Sequence, residues 1–115
     1  MNLTLTPTTI HLNSNAIVSR QKLADLCENW QIVELACFGS VLRDDFRPDS
    51  DIDLLVTFAD TPRITFFDLD EIERQFSALF QNRPVDVVTR PAIEHSHNPI
   101  RRHNILDNAQ TLYPR

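Results

Sequence analysis

The chain has little of the residues that usually form tight turns and crosslinks, with one glycine and two cysteines in 115 residues. Cys27 and Cys37 each lie within an apolar stretch, which predicts buried free thiols rather than a disulfide. No apolar run approaches the ~18 residues that a membrane-spanning helix needs, and the N-terminal sequence MNLTLTPTTIHLNSN lacks the basic start and apolar core of a secretory signal. We therefore expect a cytoplasmic protein with no membrane partner.

Negative charge predominates in the first two thirds of the chain. Residues 1 to 80 hold 13 acidic against 6 basic side chains, and the net charge of the whole chain is −5. This balance argues against non-specific binding to nucleic acid, which requires a basic surface. Five of the acids lie between residues 44 and 53. Because like charges packed this closely repel one another, the segment predicts a cationic ligand, and a divalent metal ion would suit it.

The length predicts a single domain over residues 1–115, with 1–13 as a loosely ordered extension because its apolar periodicity is the weakest. Apolar spacing and turn residues indicate a compact α/β domain with a small sheet. The predicted elements are helices over 19–29, 66–80 and 100–109, strands over 31–38, 51–58 and 85–89, a short helical turn over 41–46, a loop over 91–99 and a short apolar tail at 112–113.

Three aspartates are candidates for metal binding and catalysis. Asp51 and Asp53 are separated by one residue on a predicted strand, so both side chains leave the same face, with Cα atoms ~7 Å apart. Asp86, in the predicted strand VDVVT, would add a third carboxylate from a neighbouring strand. Mg²⁺ is usually held by one or two carboxylates together with substrate phosphates, and two-ion sites suit in-line displacement at phosphorus. The pattern predicts two Mg²⁺ ions, with Asp86 binding one of them or taking a proton.

The single glycine lies ahead of these aspartates, next to a serine. Gly39 would let the backbone approach phosphate oxygens, and Ser40 offers its N–H and hydroxyl where a helical turn begins. Arg43 could reach the same phosphates as a fixed cation. A lone Gly-Ser step is usually a turn, and a lone Asp-x-Asp pair is usually solvated surface. Their joint occurrence at this spacing is expected by chance on the order of once per thousand chains of this length.

The motif is also that of a known family. Gly39-Ser40, ten intervening residues and Asp51-x-Asp53 match the signature of the polymerase-β-like nucleotidyltransferases. The wider run FGSVLRDDFRPDSDIDLLV closely resembles their minimal nucleotidyltransferase (MNT) subgroup. The resemblance extends from about residue 19 through FFDLDEIE and PVDVVT to HNILDNAQTLY, and it is strongest between residues 37 and 58.

The resemblance implies a fold and an activity. The implied fold is a small mixed β-sheet flanked by helices, with Mg²⁺ at Asp51 and Asp53, Asp86 as the third carboxylate, and ATP as the usual donor. Members of the subgroup are typically antitoxins that transfer AMP to a tyrosine of a HEPN-type ribonuclease toxin. Two alternatives stay open: a non-catalytic antitoxin that neutralises the toxin by binding it, and an adenylyltransferase that modifies a small molecule.

Two groups near the C-terminus have no assigned role in this motif. His95 and His97 have a spacing that could chelate a transition metal, but without a third ligand nearby an exposed or structural role is favoured. The basic run Arg101, Arg102 and His103 could contact a nucleotide or a partner, although a solvated helix face is the more common meaning of such a run.

Overall fold

The computed structural model of the chain describes residues 8–13, 16–43, 46–47, 49–60 and 63–113. The strands are β1 (Thr9–Asn13), β2 (Ala16–Ser19), β3 (Ile32–Phe38), β4 (Ile52–Phe58), β5 (Val85–Thr89) and β6 (Gln110–Tyr113). The helices are α1 (Arg20–Asn29), a 3₁₀ helix (Gly39–Leu42), α2 (Phe66–Leu79), α3 (Arg90–Glu94) and α4 (Pro99–Asn108).

Four strands form one sheet in the order β5-β4-β3-β6. β3 pairs antiparallel with both β4 and β6, whereas β4 and β5 are parallel. The sheet is therefore mixed. Parallel neighbours require a crossover connection, and α2 makes it between β4 and β5. β1 and β2 form a separate antiparallel pair. The prediction of a small mixed sheet flanked by helices is confirmed.

One face of the sheet carries the larger hydrophobic core, covered by α1 and α2. Alternate residues of the strands point to this face, including Leu35 of β3 and Leu54 of β4, and both are fully buried. From α2, Ile72 and Phe76 pack into the same cluster. Ser19 caps α1 by accepting a hydrogen bond from the backbone N–H of Lys22. This face supplies most of the buried apolar surface.

The opposite face carries a smaller cluster, covered by α3 and α4. It consists of the intervening strand residues and one isoleucine from each helix: Ala36, Phe38, Leu55, Ile93 and Ile105. Since successive strand residues alternate between the faces, every side chain two residues from Leu55 along β4 also points to this side. The small cluster includes Phe38 at the end of β3, whereas Asp53 beside it on β4 is half-buried and Asp86 on β5 is exposed.

Several predicted boundaries were wrong, each for a local reason. The predicted loop over 91–99 begins as helix α3, because Thr89 caps it by accepting from Ala92 N–H and Pro91 fits its first turn. Residues 9–13 of the predicted loose extension form β1, paired with β2; residues 1–7 lie outside the described residues. The helical turn is a 3₁₀ helix at Gly39–Leu42, and the apolar tail is strand β6.

Both cysteines are buried and free, as predicted. Among the described residues, no helix has the length and apolar character that crossing a membrane would require.

Candidate functional site

The register of the sheet brings the predicted carboxylates to one end of its strands, where β4 and β5 begin and β3 ends; this end is called the edge below. In the parallel pair, Asp53 of β4 lies opposite Asp86 of β5, and in the antiparallel pair Asp53 lies opposite Phe38, the last residue of β3. Adjacent strands are ~4.8 Å apart, so Asp53 and Asp86 are side-by-side neighbours. Asp51 precedes β4 by one residue and is exposed. Asp53 and Asp86 thus share the sheet face that α3 and α4 partly cover.

Gly39 forms a notch against Asp53 at the end of β3. Its φ of +78° lies in the left-handed region, which side-chain-bearing residues rarely adopt. A Cβ at this position would lie 2.6 Å from Oδ2 of Asp53, which is far inside van der Waals contact. Both observations require glycine here for the same reason: the chain must turn sharply while its backbone passes directly beside a carboxylate.

The 3₁₀ helix that follows the notch is tied to the start of β4. The Ser40 hydroxyl donates to the backbone carbonyl of Asp51 at 3.4 Å, and the Ser40 carbonyl accepts from the N–H of Arg43 at 2.9 Å. Ser40 is half-buried and Arg43 is exposed. These contacts hold the Gly-Ser step and the first aspartate together, although ten residues separate them in the sequence. Five of the six predicted site residues therefore lie at this edge, with Arg43 at the end of the 3₁₀ helix.

The electrostatics of the site centre on Asp53. Burial raises the pKa of this carboxyl above its usual value, and the negative charges of Asp86 and then Asp51 raise it further, while the positive charge of Arg101 lowers it. Burial and like charges both disfavour the ionised form, so the folded chain holds Asp53 at a cost in free energy. A bound cation would reverse that balance.

The donor set is suited to Mg²⁺ in one specific sense. Carboxylate oxygens are its preferred protein ligands, and the pairing of Asp53 with Asp86 supplies two of them beside a cradle that a Cβ would fill. No three His, Cys, Asp or Glu side chains in the described parts of the chain are arranged to hold an ion by themselves. Substrate phosphates usually supply further ligands to a Mg²⁺ ion in a protein site. The joint role of all three aspartates stays a prediction.

Sequence reasoning missed one residue that organises this edge. Arg83 is 6% exposed, its guanidinium lies 4.5 Å from the centroid of the Phe46 ring, and it donates a hydrogen bond to the Arg47 carbonyl. Ile52 N–H donates to the carbonyl of the next residue, Pro84. The Asn82-Arg83-Pro84 step after α2 therefore supports the segment leading into β4. No pattern in the sequence marks this role.

The histidines near the C-terminus show no metal-binding arrangement. His95 and His97 are exposed, and no third ligand joins them among the described residues. The ring of His103 instead lies 2.8 Å from the carboxylate of Asp107, one turn along α4.

Residues 19–112 match the family model of the nucleotidyltransferase domain. The chain belongs to the nucleotidyltransferase domain family. The prediction of an enzyme of the nucleotidyltransferase type is thereby confirmed.

Two relatives are named as protein adenylyltransferases. A protein of Methanocaldococcus jannaschii, provisionally named a protein adenylyltransferase, is 32% identical over 77 residues, which cover 66% of this chain and 85% of the relative. Protein adenylyltransferase MntA of Thermococcus cleftensis is 34% identical over 70 residues, covering 61% and 68%.

Solved structures confirm that the chain has the fold of this nucleotidyltransferase family. A toxin–antitoxin structure with AMP-PNP superposes with a TM-score of 0.63 at 18% identity, covering 84% of this chain and 73% of that one. A mutant of the MntA–HpeT toxin–antitoxin, in which two aspartates two positions apart are changed to glutamate, gives a TM-score of 0.61 at 16% identity, covering 85% and 75%.

Proposed function

We propose that this nucleotidyltransferase transfers AMP from ATP to a tyrosine hydroxyl of a partner toxin of the HEPN ribonuclease type, and thereby acts as its antitoxin. The observation that carries the proposal is the paired Asp53 and Asp86 beside the Gly39 notch. That arrangement provides adjacent carboxylates for cations and, directly next to them, backbone without a side chain. A nucleoside triphosphate with its metal ions needs both.

Each residue of the edge has a distinct task in this reaction. Asp51 and Asp53 would hold Mg²⁺ together with the phosphates, and Asp86 would complete the ion binding or accept a proton. Mg²⁺, when bound, supplies positive charge that offsets the triphosphate during transfer. Gly39 and Ser40 admit the phosphate oxygens to the backbone at the start of the 3₁₀ helix, and Arg43 adds a cation there.

The transfer itself is a displacement at phosphorus. The tyrosine oxygen forms a bond to the α-phosphorus, the bond from that phosphorus to the bridging oxygen of the β-phosphate breaks, and pyrophosphate leaves. The proton of the hydroxyl passes to the Asp86 carboxylate. Most of the stabilisation is electrostatic, because the charge that develops on phosphate oxygens lies among fixed cations.

The relatives support the choice of donor and acceptor. Two are named protein adenylyltransferases, and the solved structures of the same fold are toxin–antitoxin complexes, one of them with an ATP analogue. The variant made in one of those complexes changes two aspartates with the spacing of Asp51 and Asp53. A protein acceptor also fits a chain whose net charge is −5, because nucleic-acid substrates favour basic proteins.

The test is an incubation of the chain with α-labelled ATP, Mg²⁺ and its toxin partner. We expect label on a toxin tyrosine, located by mass spectrometry of peptides, and loss of that label with Asp53→Asn or Asp86→Asn. The control is Asp60→Asn, because Asp60 is exposed and lies beyond the opposite end of β4. It should label the toxin at the wild-type rate.

Two outcomes would contradict the proposal in different ways. If the Asp53 and Asp86 variants neutralise the toxin as well as the wild type does, the chain acts by binding alone. If label appears on a small molecule such as an aminoglycoside and not on protein, the acceptor class is wrong while the transfer chemistry stands.

A further inference from the structure

Helix α4 lies over the sheet face that carries the site. Its Ile105 packs in the smaller cluster with Leu55 of β4 and with Phe38 of β3. Asp53 precedes Leu55 by two residues and is paired with Phe38, so it points to this same face, one step closer to the edge. The anchor of α4 is therefore adjacent to the carboxylate site.

Arg101 is placed by the same anchor. It precedes Ile105 by four residues, so the two side chains lie on one face of α4, one helical turn (~5.4 Å) apart. Because Ile105 packs in one cluster with Phe38, the register partner of Asp53, Arg101 lies about one helical turn from a side chain that borders the carboxylate site. The lowering of the Asp53 pKa by the charge of Arg101 agrees with this placement.

The start of α4 is fixed, whereas the Arg101 guanidinium is not engaged. Asn98 caps the helix by accepting from the N–H groups of Ile100 and Arg101 at 3.1 and 3.0 Å. The neighbouring Arg102 is used structurally, since its guanidinium donates to the Ser96 carbonyl at 2.9 Å. Arg101 is exposed, and its side chain forms no ion pair or hydrogen bond with any residue that the structure describes. It is an exposed cation whose charge acts on Asp53, with its donors available to a ligand.

We infer that Arg101 binds the phosphates of the nucleotide from the α4 side of the site. The inference rests on the proposed function, because it assigns the triphosphate of that reaction a second protein contact. A guanidinium offers several donors in a planar fork that matches phosphate oxygens. The three aspartates add negative charge to a site that must also accept a triphosphate, so a cation that no carboxylate has captured is suited to this task.

The test measures nucleotide binding rather than transfer. Affinities for ATP and for inorganic tripolyphosphate, both with Mg²⁺, are compared by displacement of a fluorescent ATP analogue. We expect Arg101→Ala to weaken both by about 10-fold or more, as for a lost charge-assisted hydrogen bond, and Arg101→Lys to recover part of the loss. Arg74→Ala is the control: it removes the same charge from an exposed position on α2, and both affinities should be unchanged.

A purely structural role would give a different result. If Arg101 only offsets the charge of Asp53, Arg101→Ala lowers the melting temperature and leaves both affinities within twofold of wild type, which overturns the inference. Loss of ATP affinity with tripolyphosphate affinity unchanged also overturns it, because the contact is then to the nucleoside. Failure of AMP transfer to the toxin, with the expected binding losses present, refutes the proposed function and not this inference.

Discussion

The two faces of the four-stranded sheet use the same strands for different purposes. On β4, Leu54 and Val56 point to the face covered by α1 and α2 and are fully buried, whereas Asp53 and Leu55 point to the face covered by α3 and α4. The first face is closed by α1 and the 14-residue α2, and the second by the 5-residue α3 and by α4, which is as long as α1. A side-chain period of two allows one strand both to build a core and to present a carboxylate.

Truncation of one core residue on each face should separate their contributions to stability. Phe76→Ala, on the larger face, is expected to lower the free energy of unfolding by about 3–5 kcal/mol, as for other fully buried phenylalanines. Ile105→Ala should cost about 2 kcal/mol, because the smaller cluster lies near the surface and can relax. Urea titrations measure both. Equal losses would mean that the smaller cluster is as important to the fold as the larger one.

Gly39→Ala tests whether the notch on the face that carries the site is needed for ATP binding. The left-handed backbone should cost about 1–2 kcal/mol of stability, and displacement of Asp53 by the new Cβ should remove ATP binding altogether. The matched variant is Gln31→Gly, since Gln31 has a φ of +57° at the opposite end of β3. It should be neutral or slightly stabilising, with ATP binding unchanged. Retention of ATP affinity in Gly39→Ala would refute the role of the notch in nucleotide binding.

Asp53→Asn should abolish AMP transfer and raise the stability of the folded chain. The folded-state pKa of Asp53 is raised, so the folded chain binds this proton more tightly than the unfolded chain does. Stability from this group is therefore present at low pH and falls as pH rises from the unfolded pKa through the raised folded one. In chelator, Asp53→Asn should be more stable than wild type at neutral pH, and the difference should vanish at about pH 3. A variant less stable at pH 7 would contradict the sign.

The sequence could predict the elements of the site better than their arrangement. The apolar runs around Asp53 and Asp86 define two strands by composition, and β5 was predicted with its observed bounds because VDVVT is bounded by breakers on one side. That Asp53 lies opposite Asp86 depends on the crossover through α2, which sets the register without leaving a signal in either strand.

The missed features depend on tertiary contacts. β1 and β6 are short, and each becomes a strand only through its partner, so their sequences contain little pattern. For Arg101 the sequence favoured a solvated helix face over contact with a nucleotide or a partner, because the packing of Ile105 with Phe38 leaves no signal in the sequence. The notch was predicted from the rarity of glycine, and its contact with Asp53 was not.

The smallest effect concerns the two thiols, which both lie in the larger core and so report on that face alone. Burial raises the pKa of Cys27 to about 12 and that of Cys37 to about 11. Since the thiolate is the reactive form, a disulfide reagent at pH 8 should modify the native chain about 100-fold more slowly than the unfolded chain. Phe76→Ala should accelerate this reaction, whereas Ile105→Ala should leave it nearly unchanged. Equal acceleration by both variants would show that the two faces open together. The two hydrophobic clusters would then be separate in the structure but not in the motions that expose the thiols.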